Sequence, residues 1–241
     1  MKVFTKSSGV RIAQRSRPIY LAEREVCRLR WKKISDAVVR RLPLYLRVLE
    51  EIDRDDDRKL MSSQELGERA GVSPALVRKD LAWFGEFGKQ GVGYEISYLK
   101  DELRRILNLN ENIRVALIGV GSLGQALTRY NRSRYESDRS FRIEIAALFD
   151  NDPGKFGTKV DGIPVRPIEE FAAVAKELGI RMAIITVPAQ FAQEVADRVI
   201  AAGIRAILNF APTKLVAPEG VHIATADLSL ELQRLAYYLN D

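Results

Sequence analysis

The sequence has one cysteine, Cys27, and one histidine, His222, in 241 residues. A single thiol excludes an internal disulfide framework and any paired-cysteine metal knuckle. No apolar run approaches the roughly 18 residues that a membrane-crossing helix needs. The N-terminus is basic, but no apolar stretch follows it, so a secretory signal is not expected. Acidic residues are scarce at one end only. Residues 1–35 carry ten Lys or Arg against Glu23 and Glu25, so the net charge of +6 originates there and the remaining residues are slightly acidic. The overall charge therefore says little about the folded part; the placement of charges matters more. These absences lead us to expect a cytoplasmic protein without a metal.

What is present is ordinary for a globular chain: 46% hydrophobic and 29% charged residues, in a length that allows one large domain or two modest ones. Residues 1–33 have weak periodicity and read as a basic, mostly disordered extension. The sharper alternative is an arm that grips phosphates.

Residues 34–96 read as a winged-helix domain. A helix is expected through "DAVVRRLPLYLRVLEEI", with a kink or a fresh start at Pro43. "SSQELGERAG" has Ser62 and Glu65 spaced as a capping box and Gly71 at the stop. "SPALVRKDLAWFG" follows, with Ser73 as N-cap and Pro74 at the first helical position. Two short helices joined by a tight turn with Gly form a helix-turn-helix, and "GKQGVGYEIS" reads as the hairpin wing. On the second helix Val77, Leu81 and Phe84 face the core. Ala75, Lys79 and Ala82 lie on the opposite face, with Arg78 at its flank, where small residues beside long cations suit a major groove. Ser73, Pro74, Ala75, Arg78 and Lys79, with Lys89, Gln90 and Gly91 in the wing, are the candidate DNA contacts.

Residues 97–109 read as one amphipathic linker helix. From there strands and helices alternate, which implies a parallel, doubly wound sheet over 110–226. Its first strand ends in "GVGSLG", residues 119–124. Gly119 permits the tight strand-to-helix turn, Gly121 lets backbone approach a pyrophosphate, and Gly124 lets helix and strand pack closely. Val120, Ser122 and Leu123 complete the loop, and the phosphates would sit at the helix N-terminus. Asp150, closing the next strand, is placed to bind ribose hydroxyls and to reject a 2′-phosphate. It lies 26 residues beyond Gly124, somewhat more than the usual spacing of about 20; we attribute the excess to the polar stretch 131–140. Thr186, Val187, Pro188, Asn209 and Phe210, at two further strand ends, are expected to line the same crevice. NADH and NAD+ are the expected ligands.

A dehydrogenase needs a substrate pocket and usually a general acid or base. Only one helix remains after residue 226, and His222 begins a strand, so a sensor is favoured. The alternative is an NAD-dependent oxidoreductase whose winged helix docks a protein, for which a Lys or Tyr base stays open.

"VVRRLPLYLRVLEE", "VSPALVRKDLAWFGEFGKQGVGY", "GVGSLGQAL", "FDNDPGKFG" and "AGIRAILNFAP" together resemble the Rex-type redox-sensing transcriptional repressors over about 34–241. The resemblance implies an α/β protein: an N-terminal winged helix-turn-helix domain, then a Rossmann-like doubly wound parallel sheet domain and a C-terminal swapped helix in 227–241. It implies a homodimer on pseudo-palindromic double-stranded operator DNA, released by NADH and permitted by NAD+, with no enzymatic activity. It also implies a switch in which Arg47, Tyr130 and Asp227 exchange partners. Two departures stand out: Gln90 replaces an Arg frequent in the wing of relatives, and residues 1–33 have no counterpart.

Overall fold

In a computed structural model, residues 34–55, 58–89, 91–138 and 140–240 are described. The 1–33 extension and Gln90, both singled out above, lie outside them. The chain divides into two compact units, with the boundary between Leu107 and Asn108.

In the first unit, helix α1 (Asp36–Asp55) buries Leu42, Tyr45, Leu46, Leu49 and Ile52 along one stripe, the spacing that turns a single helical face inward. Pro43 neither ends nor restarts it; the residue lies on the exposed side. Strand β1 (Leu60–Met61) follows, which the polar sequence before it did not announce. Helix α2 (Ser63–Ala70) starts at the expected cap, where the Ser62 hydroxyl accepts the Glu65 N–H at 3.1 Å. It stops at Gly71 in the left-handed conformation. Helix α3 (Pro74–Ala82) is capped by Ser73, which accepts from the Leu76 N–H. Strands β2 (Gly88–Lys89) and β3 (Gly93–Glu95) form the wing, and β1 adds antiparallel to β3. The helix expected as a linker is α4 (Ile96–Ile106). It belongs to this unit and packs on α1, burying Ile96, Leu99, Leu103 and Ile106.

The second unit is a seven-stranded sheet: β4 (Ile113–Ile118), β5 (Ile143–Asp150), β6 (Lys159–Val160), β7 (Ile163–Pro167), β8 (Met182–Ile185), β9 (Ala206–Asn209) and β10 (His222–Thr225). The order is β10-β9-β8-β4-β5-β7-β6, parallel except for the β6–β7 edge hairpin. That hairpin was not expected, because "TKVDGIPV" is short and Gly-interrupted. Strand β4 is apolar almost throughout because both faces are covered, as in a parallel sheet. Ala116 and Ile118 enter one core with Phe149 and Phe171, while Val115 and Leu117 enter the other with Ile145 and Leu148.

Helices α5 (Ser122–Ser137), α6 (Phe171–Leu178), α7 (Ala189–Ala201) and α8 (Leu228–Ala236) complete the unit. Helix α5 runs on into the polar stretch 131–140. Residues 131–137 belong to it, so the polar stretch that accounts for the long Gly124–Asp150 spacing is largely helical. Asn131 shows why the polar stretch is ordered. Its side chain donates to the Ile143 carbonyl and accepts from the Ile145 N–H, beside the bulge where β5 slips a residue against β4.

Candidate functional site

The sheet order places the carboxyl ends of β4 and β8 side by side, and the crevice between such strands is where α/β sheets bind ligands. Gly119 turns out of β4 with φ +97°, and a Cβ there would lie 2.8 Å from the Thr186 carbonyl carbon. Gly121 precedes α5 with no side-chain cap and with open space where a Cβ would stand. The first amides of α5 are therefore left to an outside acceptor, as a phosphate requires. Gly124 has a different task. A Cβ there would stand 2.1 Å from the Gly119 oxygen, so helix and loop pack directly on each other. We expect Gly124→Ala to cost about 1–3 kcal/mol by overpacking, read as a lower melting temperature of the Asn108–Asp241 unit. An unchanged melting temperature would show that the loop moves aside without strain.

Asp150 is 5% exposed at the end of β5. Its Oδ2 accepts the Val120 N–H at 2.7 Å and the Lys155 ammonium at 2.9 Å, and its Oδ1 accepts the Asp152 N–H at 3.0 Å. Burial pushes this carboxyl up. The bonds from Lys155, Asp152 and Val120, with the Lys155 charge, outweigh burial and hold it below the usual carboxylate range. Asp150 is thus a preformed, ionised acceptor.

A cavity of about 810 Å3 opens over these groups, within the size range of a cofactor site. Of the expected residues, Gly119, Gly121, Ser122, Leu123, Asp150, Thr186, Val187, Pro188 and Phe210 line it. Val120 and Gly124 lie behind it as supports. Asn209 does not line it: the side chain is fully buried, accepts from the Ala211 N–H and donates to the Ala211 and Thr213 carbonyls. It buckles the loop that presents Phe210, so its part is to position. Thr186 likewise spends its hydroxyl proton on the Ile118 and Gly119 carbonyls, tying β8 to β4. Sequence reasoning missed the wall formed by Ile168, Phe191 and Val195, and a rim where Arg198 meets Glu169 at 3.3 Å. Helical periodicity marks such residues as core or surface and gives no sign of a slot. The glycine cradle, the open amides and the ionised acid fit an NAD-type dinucleotide. Gly119, Gly121, Ser122 and Leu123 would hold its pyrophosphate and Asp150 its ribose.

In the first unit Ala75, Arg78, Lys79 and Ala82 are exposed on α3, as expected. Ser73 and Pro74 form its start, and Arg78 donates to the Ser63 hydroxyl at 2.7 Å. Arg78, Lys89 and Gly91 line a groove between α3 and the wing. The opposite side of α3 holds a feature the sequence hid. Asp80 is 1% exposed and accepts from Arg41 Nε at 2.6 Å, from Arg41 Nη2 at 2.8 Å and from the Tyr45 hydroxyl at 2.7 Å. The bond to Asp80 holds the Arg41 guanidinium charged more firmly than usual, and burial keeps the Tyr45 hydroxyl protonated.

Of the expected switch residues, Arg47 is exposed on α1. Tyr130 is 62% exposed and accepts a bond from Arg134. Asp227 caps α8 through the Ser229 N–H. His222 is exposed at the start of β10. Among the described residues no cluster could hold a metal ion, and no helix is long and apolar enough to cross a membrane.

Two family models match the chain: a CoA binding domain over residues 110–213 and a putative DNA-binding protein N-terminus over 33–82. A redox-sensing transcriptional repressor Rex of Brevibacillus brevis is 50% identical over 208 residues, covering 86% of this chain and 98% of that protein. The chain belongs to the Rex family. The corresponding Rex protein of a Roseiflexus species is 47% identical, over 87% of this chain and 93% of its own length. A crystal structure of RSP in complex with β-NAD+ and operator DNA superposes with a TM-score of 0.77 at 39% identity, covering 86% of this chain and 93% of RSP. The RSP complex with β-NADH gives 0.73 at 36%, covering 86% and 95%. These Rex relatives are named repressors, not enzymes.

Proposed function

We propose that this Rex protein reads the NADH/NAD+ ratio in its Asn108–Asp241 unit and reports it through its winged helix, as a cytoplasmic homodimer on a pseudo-palindromic operator. One observation carries the reading. The same chain presents an exposed cationic helix on a winged-helix unit and a dinucleotide crevice closed by an ionised acid.

Dimerisation is supported by α8. Leu228, Leu230, Leu232 and Leu235 are each more than half exposed, and Tyr237, Tyr238 and Leu239 extend the patch. A stable monomer rarely leaves such a patch open, and a second copy of the chain supplies its cover. The direction of the response follows from charge. The oxidised nicotinamide is cationic and the reduced one neutral, so an apolar wall such as Val187, Pro188 and Phe210 accepts the reduced ring at lower cost. NADH then favours a closed dimer whose winged helices no longer match two half-sites spaced by a helical turn. Cofactor choice follows from Asp150, which favours NAD(H) over NADP(H).

The test is a DNA-binding titration on duplexes selected by the protein from a random pool, with NADH, NAD+ or NADPH added separately. NADH is expected to weaken binding and NAD+ to preserve it. Binding indifferent to NADH overturns the proposal.

The contacts of α3 are expected to differ in kind. Lys79→Ala weakens selected duplexes by about 1–3 kcal/mol and relaxes specificity if its ammonium reads a base edge. Arg78, drawn toward the N-terminus of α2 by Ser63, is placed for a phosphate. Arg78→Ala then weakens all sequences alike and flattens the salt dependence by about one ion. Specific and nonspecific duplexes titrated at several salt concentrations separate the two. Unchanged affinity in the double variant removes α3 from DNA recognition.

A further inference from the structure

Asp150 and Lys155 form an ion pair inside the dinucleotide cavity, and their geometry carries a consequence for specificity. Lys155 ends a short 3-10 turn, Pro153–Lys155, which the Asp152 carboxylate caps through the Gly154 N–H at 2.9 Å. The turn folds the lysine back so that its ammonium reaches Asp150 at 2.9 Å and stands 3.9 Å from Asp152. The Lys155 side chain keeps 35% of its exposure while Asp150 keeps 5%. The carboxylate is therefore fixed, and the lysine is the partner free to move.

A carboxylate offers about four lone-pair positions. Here Val120 and Lys155 take Oδ2, and Asp152 takes one position on Oδ1. One position is left for a ribose hydroxyl. The second hydroxyl of a ribose diol must compete with Lys155, whose ammonium has donors only. A 2′-phosphate in that place meets a carboxylate it repels and an ammonium it attracts. The balance between them decides whether the phosphorylated dinucleotide is admitted.

We propose that Lys155 is a specificity-determining residue of this site: held by Asp150 it is the carboxylate's counter-ion, and released from Asp150 it is a ligand for the 2′-phosphate of a dinucleotide. The assignment rests on the reading of this cavity as the NAD(H) site. It implies that rejection of the phosphorylated form is set by the pair and not by Asp150 alone. Asp150→Asn keeps the size of the side chain and an acceptor oxygen, removes the repelling charge and frees the ammonium. Lys155→Met keeps the aliphatic stem and removes the counter-ion.

The experiment measures NADH and NADPH dissociation constants, by the fluorescence of the reduced nicotinamide, for the full chain, D150N, K155M and D150N/K155M. Asp150→Asn should shift preference toward NADPH by about tenfold, the size of one charge-assisted bond to phosphate, and the double variant should lose that gain. K155M alone should move preference further from NADPH. Equal NADPH affinity in D150N and the double variant, with NADH still bound by the full chain, overturns the assignment to Lys155. If the Asp150 variants do not fold, K155M alone decides, and an unchanged NADH/NADPH ratio overturns it. A full chain that fails to bind NADH overturns the site reading, and this proposal with it.

Discussion

Asp80→Ala strongly weakens operator binding and leaves NADH binding intact. Asp80 lies on the core side of α3, the proposed DNA-reading helix, and holds both Arg41 and Tyr45. Removing it leaves a guanidinium that is only 21% exposed without its carboxylate, and a buried hydroxyl without its acceptor. Breaking a buried pair by deleting one partner costs about 3–5 kcal/mol. The net stability of a domain is about 5–15 kcal/mol, so the winged helix loses a large part of its reserve. Its melting temperature falls by about 4–8 °C per kcal/mol for a unit of this size. The Asn108–Asp241 unit has its own core and its own cavity, which is why dinucleotide binding survives. Tyr45→Phe removes a single bond to a charged acceptor and costs less, about 1.5–3 kcal/mol. Thermal melts followed by circular dichroism, with NADH and duplex titrations on the same samples, check the order. Operator affinity within twofold of wild type in Asp80→Ala would show that the cluster does not hold the reading helix.

The Asp80 cluster also marks where sequence reading stops. In "VRKDLA" three charged residues in a row look like one solvated helix face. Only the 3.6-residue repeat that buries Val77 and Leu81 puts Asp80 between them, and nothing local reveals that Arg41 and Tyr45, nearly forty residues earlier, complete it. By contrast, the dinucleotide loop was legible because its constraints are local. Gly119, Gly121 and Gly124 each meet a steric demand within a few residues, and Asp150 closes the adjacent strand. Asn209 was misplaced for a related reason. A polar residue at a strand end in such a sheet commonly faces the crevice, but here three carbonyl and amide groups of its own loop claim the side chain. The β6–β7 edge was hidden because strands this short carry no measurable alternation. The walls at Ile168, Phe191 and Val195 were hidden because apolar residues are the same letters in a core and in a slot.

Replacing Asp227 by Asn retains NADH binding and operator binding but removes most of the effect of NADH on DNA affinity. Asn is the informative substitution because Asp227 has two possible jobs. Its Oδ1 caps α8 by accepting the Ser229 N–H at 2.9 Å, and its charge is available to a cation. Asn caps as well as Asp, whereas Ala costs about 1 kcal/mol of helix stability. The family resemblance implies an exchange of hydrogen-bonded partners among Asp227, Arg47 and Tyr130, and Arg47 is the cation of the three. Magnitudes constrain the scheme. A ligand shifts a two-state equilibrium only by its differential affinity for the states. A hundredfold shift in DNA affinity needs about 2.7 kcal/mol. One exposed ion pair supplies at most about 1 kcal/mol, too little alone. The proposed homodimer would contain two symmetric copies of such a pair, and together they would reach most of the requirement. Loss of the charge in both copies therefore removes most of the response, while the cap keeps α8 in place. Duplex titrations with and without NADH, run on wild type, D227N and D227A, decide the matter. A full NADH response in D227N shows that the charge is not part of the switch. If D227A loses the response and D227N keeps it, Asp227 acts through the cap, and the signal travels by the seating of α8 rather than by an ion pair.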